Sequence, residues 1–422
     1  MGVSDSDDDN RIYSIQTGNN RMKINRVLLK GSIVLLITFG LFNLFNFLFQ
    51  WSMVRLLSPS DFGSLATLFA IISILGVFTD SIQTVITKYV SNEKENSKIK
   101  GIIFASFKNA NKLAFALLII YLIIMVFLFN LLKIDYLLLA FNGLIIFTAF
   151  FIPITRGVMQ GKKKFAHLGI NMVLESATKF ILALGFVFLG WKVYGAIFAT
   201  FLSVIIAFVF SFIPLKSINK SRAVKKANID NILSYTGPTF AITLAITLFY
   251  SLDIIMAKVF FSEEIAGFYA ISSTLAKIIF LGTLPISKAM FPLSAEDKSP
   301  VYEKTNVFLN ALGILGGMLI VGLSIFYAFP DLIILTFKGE AIVPAARILF
   351  YLAIAASLLS LANLTLLYKL STNKTSGYFS LLFFVMIEVI LLSYFSSNLI
   401  EFSFAFIFSS AAFLWASIVL IK

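Results

Sequence analysis

Few side chains in this sequence can do chemistry, and most of those that can are charges set inside long apolar runs. Asp80, Thr84, Thr87, Lys88 and Ser91 recur three or four residues apart, which places them along one stripe of a helix. Such a stripe either walls a wet cavity, with Asp80 as a proton or sodium site, or makes a satisfied contact with a neighbouring helix. Glu175 and Lys179 stand four residues apart in the favourable acid-to-base order. They either neutralise one another, or Lys179 is released to an anionic substrate group when Glu175 takes up a proton. Lys277 has Ser273 one turn before it and no acid within four residues, so its partner is another helix, water or substrate. Glu388 also lacks a local counter-charge and reads either as a neutral acid in an apolar setting or as the partner of a lysine. Asp253 shares a face with Thr243, Thr247 and Tyr250. It either lines a cavity or locks a hairpin by pairing with a base such as Lys258.

A charge at mid-bilayer costs about 2.5–3.5 kcal/mol on insertion scales, so it marks a cavity or a partner. The chemistry on offer is recognition of a charged cargo coupled to an ion. Cys is absent and His167 is the only His, which excludes disulfides, thiolate chemistry and a histidine-built zinc or acid–base centre. No Gly-x-x-x-x-Gly-Lys-Ser/Thr phosphate loop occurs. No cofactor is expected beyond a coupling Na+ or H+, and no enzymatic activity. Lys277 and Lys179 are the first candidates to hold an anionic ligand, because a buried ammonium offsets the desolvation of an anion. Arg55 and Arg347 are further basic candidates. Asp80, Glu175, Asp253 and Glu388 are the coupling candidates. Lys88, Lys108, Lys112, Arg156 and Lys288 lie near helix ends on one side and Arg347 near an end on the other, where each can snorkel to headgroups.

These charges need elements that hold them in a bilayer. Of 422 residues, 59% are hydrophobic and 13% charged, with mean hydropathy +0.94. Soluble domains are about 45–50% apolar and about 25% charged. Lipid must therefore be the solvent, and an all-α membrane protein follows. Twelve segments are long enough to cross: 31–54, 64–90, 106–131, 135–156, 167–190, 194–216, 233–257, 266–291, 306–328, 342–368, 376–395 and 402–421. Between the last residues of the ninth and the start of the tenth, Pro330 and Asp331 interrupt an apolar run. Only Arg55, Lys133, Lys192, Lys258 and Lys338 fall in one set of linkers, while the bases of the other set, the three lysines Lys162 to Lys164 among them, are far more numerous. The bias predicts a cell-membrane protein with both termini cytoplasmic. It also accounts for the net charge of +13 without nucleic acid. Residues 1–24 read as a disordered cytoplasmic tail with no cleaved signal peptide. Residues 25–216 and 233–422 read as two six-helix bundles joined by a basic cytoplasmic linker, 217–232. Six is even, so the halves are expected to be parallel repeats. Gly313, Gly316 and Gly317, with Ala311, are expected to pack closely against another helix.

The halves also share a motif. Arg55-Leu-Leu-Ser-Pro-Ser-Asp-Phe-Gly-Ser-Leu-Ala66 and Lys258-Val-Phe-Phe-Ser-Glu-Glu-Ile-Ala-Gly-Phe-Tyr-Ala270 match Ser58 with Ser262, Gly63 with Gly267 and Ala66 with Ala270 at one common offset. Each is an apolar run that ends in a base, crosses an acidic turn and resumes through Gly. The second copy, from Leu252 and Asp253 to Ala270, resembles the seventh-helix signature of Wzx-type polysaccharide flippases, within the MATE-like multidrug/oligosaccharidyl-lipid/polysaccharide superfamily. Val54 to Gly63 resembles that family's first hairpin, and Arg156-Gly-Val-Met-Gln-Gly-Lys-Lys-Lys-Phe165 its fourth-to-fifth linker. Phe337-Lys-Gly-Glu340 with Ala345-Ala-Arg347 is similar to the start of its tenth helix. The resemblance implies two six-helix bundles around a central cavity and alternating access for a lipid-linked oligosaccharide. It implies as partners that substrate, membrane lipids and a glycan polymerase or glycosyltransferases of the same pathway. A MATE-type cation antiporter and, further off, a membrane glycan transferase or ligase are the competing functions.

Overall fold

The structure is a computed structural model that describes residues 34, 37–219, 237–295, 300–374 and 376–421. The expected tail, 1–24, and all but the first three residues of the expected linker, 217–232, lie outside the described residues. Helix α1 spans Ile37–Leu56. Then come α2 (Pro59–Asn92), α3 (Asn96–Leu132), α4 (Tyr136–Ala149), α5 (Ile152–Gly161), α6 (Phe165–Phe186) and α7 (Lys192–Ser211). The second half holds α8 (Gly237–Phe260), α9 (Glu263–Ser294), α10 (Val301–Ala328), α11 (Pro330–Lys338), α12 (Val343–Ser371), α13 (Ser380–Tyr394) and α14 (Leu399–Val419). With α4 and α5 forming one crossing and α11 a short cap, these make the twelve expected spans of an all-α multi-pass membrane protein.

Local chemistry sets the boundaries. The α2 start lies at Pro59, earlier than the apolar pattern alone predicts, because Ser58 caps it: the Ser58 Oγ accepts the Asp61 N–H at 3.2 Å and Pro59 needs no partner. The expected fourth segment is broken after Ala149, where Pro153 opens α5 and cannot continue the preceding ladder. Gly190, at φ 88°, turns the chain between α6 and α7 inside an otherwise unbroken apolar run. The α3 helix starts ten residues before the expected position, since Ile99, Ile102 and Ile103 bury against Val90 and Leu215. Gly313, Gly316 and Gly317 do not pack closely: a Cβ on any of them meets nothing within 4 Å. They lie on α10, a peripheral helix whose partners are α9, α11 and α12, and those glycines point away from them.

Short linkers make neighbours antiparallel, so the turns at 57–58, 133–135, 187–192, 261–262 and 339–342 gather at one end, here the tip end. There the two copies of the repeated motif meet. A Cβ on Gly63 would sit 3.0 Å from the Gly267 Cα, and one on Gly267 only 2.1 Å from the Pro59 carbonyl oxygen. Ala66 and Ala270 are buried beside them. Small residues let the backbones of α2 and α9 touch. Gly267→Val is therefore expected to hold the tips apart. In a chain that has no native cysteine, cross-linking of Ser64→Cys to Lys258→Cys should fall several-fold in that background, with membrane insertion unchanged.

Candidate functional site

The two halves meet along α2, which packs on α8 and α9. The seam is tight over its first turns: Phe62, Leu65, Leu68 and Ile71 on α2 and Tyr269, Ile271, Leu275 and Ala276 on α9 are all buried. Four cross-bonds reinforce it at the tip. The Lys258 Nζ donates to Ser64 Oγ at 3.0 Å and the Lys133 Nζ to the Phe261 carbonyl at 2.6 Å. The Lys338 Nζ donates to the Leu57 carbonyl at 3.0 Å, and Arg55 to the Thr336 carbonyl at 3.2 Å. Arg55 is thus part of the tip closure and not of a cavity. Arg347 is exposed on the first turns of α12, at the same end.

Further from the tip, Asp80, Thr84 and Lys88 on α2 and Gly282, Pro285 and Lys288 on α9 are exposed. Asp80 and Lys288, from opposite halves, are close enough to interact electrostatically while both stay exposed, so a gap lies between these two faces. The α8 helix stays against α2 on the other flank, where Phe78 and Phe240 meet edge to face at 5.0 Å. The halves are therefore closed at the tip and parted along the α2–α9 side below it. The expected polar stripe from Asp80 to Ser91 lies on this cleft, although Gln83 and Thr87 turn into their own half and bond Gln160.

Two charge clusters flank the cleft. In the first half, Glu175 does not pair with Lys179. Its Oε2 accepts the Arg156 Nη2 at 2.6 Å, and Arg156 Nε donates to Asn171 Oδ1 at 2.9 Å. An arginine reaching from α5 offers a fork that outcompetes a lysine one turn away on the same helix. Lys179 instead donates to Asn46 Oδ1 on α1 at 2.5 Å and stands 4.8 Å from the Phe49 ring centre and 5.9 Å from that of Phe69. Among the described residues it has no ion pair. At 1.5 Å per residue it lies about 10–15 Å from the tip end, half-buried beside α1 and α2.

In the second half, Lys277 on α9 and Asp253 on α8 form an ion pair at 2.7 Å. The other oxygen of Asp253 accepts Ser273 Oγ at 2.6 Å and Tyr269 OH at 3.2 Å. The Lys277 ammonium sits 4.7 Å from the Tyr250 ring centre. Asp253 is 0% and Lys277 4% exposed, so Lys277, expected as the first headgroup contact, is sealed inside its own bundle. Its partner is Asp253, not cargo, and Lys258, the alternative partner of Asp253, is spent on Ser64. Glu388 on α13 is fully buried close enough to interact electrostatically with this pair, and neither of its oxygens has a hydrogen-bond partner among the described residues. The sequence did not single out Asn46, Asn171 or Tyr269, whose signal is a polar group inside an apolar run. It read Lys288 only as a snorkelling base.

Residues 28–298 match the family model described as polysaccharide biosynthesis protein. Among curated proteins nothing matches. Among solved structures, the chain is similar to a multidrug resistance MATE family transporter of the MOP superfamily in an inward-facing conformation. The TM-score is 0.72 and the identity 14%, over 89% of this chain and 93% of that one. It is also similar to the lipid II flippase MurJ in an inward closed conformation, with TM-score 0.68 and 16% identity over 92% and 86% of the two chains. A MOP superfamily transporter from Pyrococcus furiosus gives TM-score 0.63 and 14% identity over 93% of each. At these identities the likeness fixes the fold, a MATE-like pair of six-helix bundles, and the family match does the rest: the chain belongs to the polysaccharide biosynthesis protein family.

Proposed function

We propose that this protein is a flippase that carries a polyprenyl-phosphate- or pyrophosphate-linked oligosaccharide from the inner to the outer leaflet of the cell membrane by alternating access, with both termini in the cytoplasm. The observation that carries the reading is Lys179, a half-buried ammonium with no ion pair among the described residues, in a molecule whose halves are closed at the tip end. An anionic headgroup is the ligand that best replaces what its desolvation costs. The excess of bases at the end away from the tips supports tips that face outward, so the cleft opens to the inner leaflet. The family match and the similarity to a lipid II flippase support a lipid-linked glycan as cargo. The chain works on this reading without chemistry on its substrate. Purified protein in liposomes should move a fluorescent short-chain polyprenyl-pyrophosphate oligosaccharide between leaflets, and absence of movement beyond empty liposomes rejects the reading. If the same liposomes extrude an organic cation instead, the antiporter reading replaces it.

The residue that couples an ion to this movement is best assigned to Glu388. A fully buried carboxyl with both oxygens unpaired, next to an ion pair that is already neutral, is the group that a proton or a sodium ion would neutralise. Asp80, facing Lys288 across the cleft, is the second candidate. Glu388→Gln is expected to transport at a rate that no longer responds to an imposed proton or sodium gradient. A response equal to that of the wild type removes Glu388 from this role.

A further inference from the structure

At the tip end of the first half lies a recess of about 500 Å³, framed by the start of α2, the α3–α4 turn and the α6–α7 turn. Its size falls in the range of small-molecule sites, about 300–1,000 Å³. Neither the cleft nor the two buried charge clusters uses it. Its two carboxylates, Asp61 and Asp135, equal in number its two ammoniums, Lys133 and Lys192. The Lys192 Nζ stands 3.7 Å from Asp61 Oδ2, and the Tyr194 hydroxyl donates to Asp135 Oδ2 at 2.5 Å. Lys133 and Ser64 line it as well, and both are engaged across the seam with the second half. Trp191 forms one wall, stacked on Phe186 at 5.1 Å and 10° yet 48% exposed.

The backbone here is costly. Lys133, Gly190 and Lys192 all have positive φ, at 53°, 88° and 46°. Two lysines in that region strain the backbone, and such outliers concentrate at ligand sites. The Tyr194 hydroxyl and the Leu137 N–H hold the Asp135 carboxyl below the usual range, so it stays an acceptor at neutral pH. The recess thus offers carboxylate acceptors, ammonium and hydroxyl donors and an indole wall, with no net charge. That set does not favour a phosphate, which wants excess positive charge, nor a lipid tail, which would leave the charged groups of the recess without polar partners. It suits a ligand that presents many hydroxyls, each donor and acceptor at once, on a ring with an apolar face.

We propose that this recess is a binding site for the sugar rings of a neutral oligosaccharide. The inference rests on the flippase reading only for the source of the glycan, the headgroup delivered at the tip end. A glycan seated here also competes for Lys133 and Ser64, two of the groups that close the tips.

The test uses the purified full-length chain in detergent and soluble trisaccharides without any lipid or phosphate: mannotriose, chitotriose and a fucosylated lactose. Saturation-transfer NMR reads which rings touch protein. At least one sugar should bind saturably, with affinity reduced tenfold or more by Trp191→Ala and weakened by Lys192→Gly, a change that the positive φ tolerates. No saturable transfer from any of the three sugars overturns the proposal. So does unchanged binding in Trp191→Ala, or displacement of every sugar by inorganic pyrophosphate. Transport by the same wild-type preparation in liposomes separates the two readings: if it moves the lipid-linked glycan while the recess binds no sugar, only the recess is at fault.

Discussion

Lys179→Ala is expected to slow leaflet-to-leaflet movement of the lipid-linked glycan about 10- to 100-fold. A hydrogen bond to a charged group is worth about 1.5–3 kcal/mol, and about 1.4 kcal/mol is a factor of ten. Loss of the ammonium removes at least one such bond to a phosphate oxygen. Lys179→Arg should keep most of the rate, because it keeps the charge and adds a donor fork. Folding should survive in both, since the side chain makes one bond, to Asn46, and no ion pair among the described residues. The check is initial transport rate in liposomes alongside the yield of monodisperse protein. An alanine variant that transports at the wild-type rate would remove Lys179 from the cargo path and the main support for an anionic cargo.

The largest effect on stability belongs to the other cluster. Lys277→Met leaves Asp253 fully buried without its counter-charge, with only Ser273 and Tyr269 among the described residues to donate to it. Breaking a buried pair on one side costs about 3–5 kcal/mol. Lys277→Met combined with Asp253→Asn should recover most of that loss, because two neutral groups of similar size fill the same space. Thermal or denaturant unfolding in detergent of the wild type, both single variants and the double variant measures the coupling. Additive single effects would mean that the pair is open to water and that Lys277 reaches the cleft after all.

Much of the fold was legible because a bilayer imposes length and polarity on every crossing. The twelve spans follow from apolar runs, and the turn at Gly190 and the cap at Ser58 refine them by a few residues. The repeated motif pointed to the tips, and the contact of Gly63 with Gly267 shows why it needs Gly in both copies. The charge clusters were less legible. Sequence spacing sees only partners on the same helix, so it offered Lys179 to Glu175 although Arg156, on the neighbouring α5, wins that carboxylate. For the same reason Lys277 looked unpartnered, when Asp253 reaches it from α8. The glycines of α10 misled in the opposite direction: small-residue spacing marks a face that can pack closely, while the fold decides whether a helix lies there.

The central claim is that the protein works by opening and closing the tip end, where the repeated motifs meet. It is tested most directly by locking that end. Ser64→Cys with Lys258→Cys, in a chain free of other cysteines, can be bridged by a reducible bifunctional thiol reagent in transport-competent liposomes. Transport should stop on cross-linking and return on reduction. Cross-linked protein that carries glycan lipid across at the rate of the reduced protein would contradict alternating access through the tips.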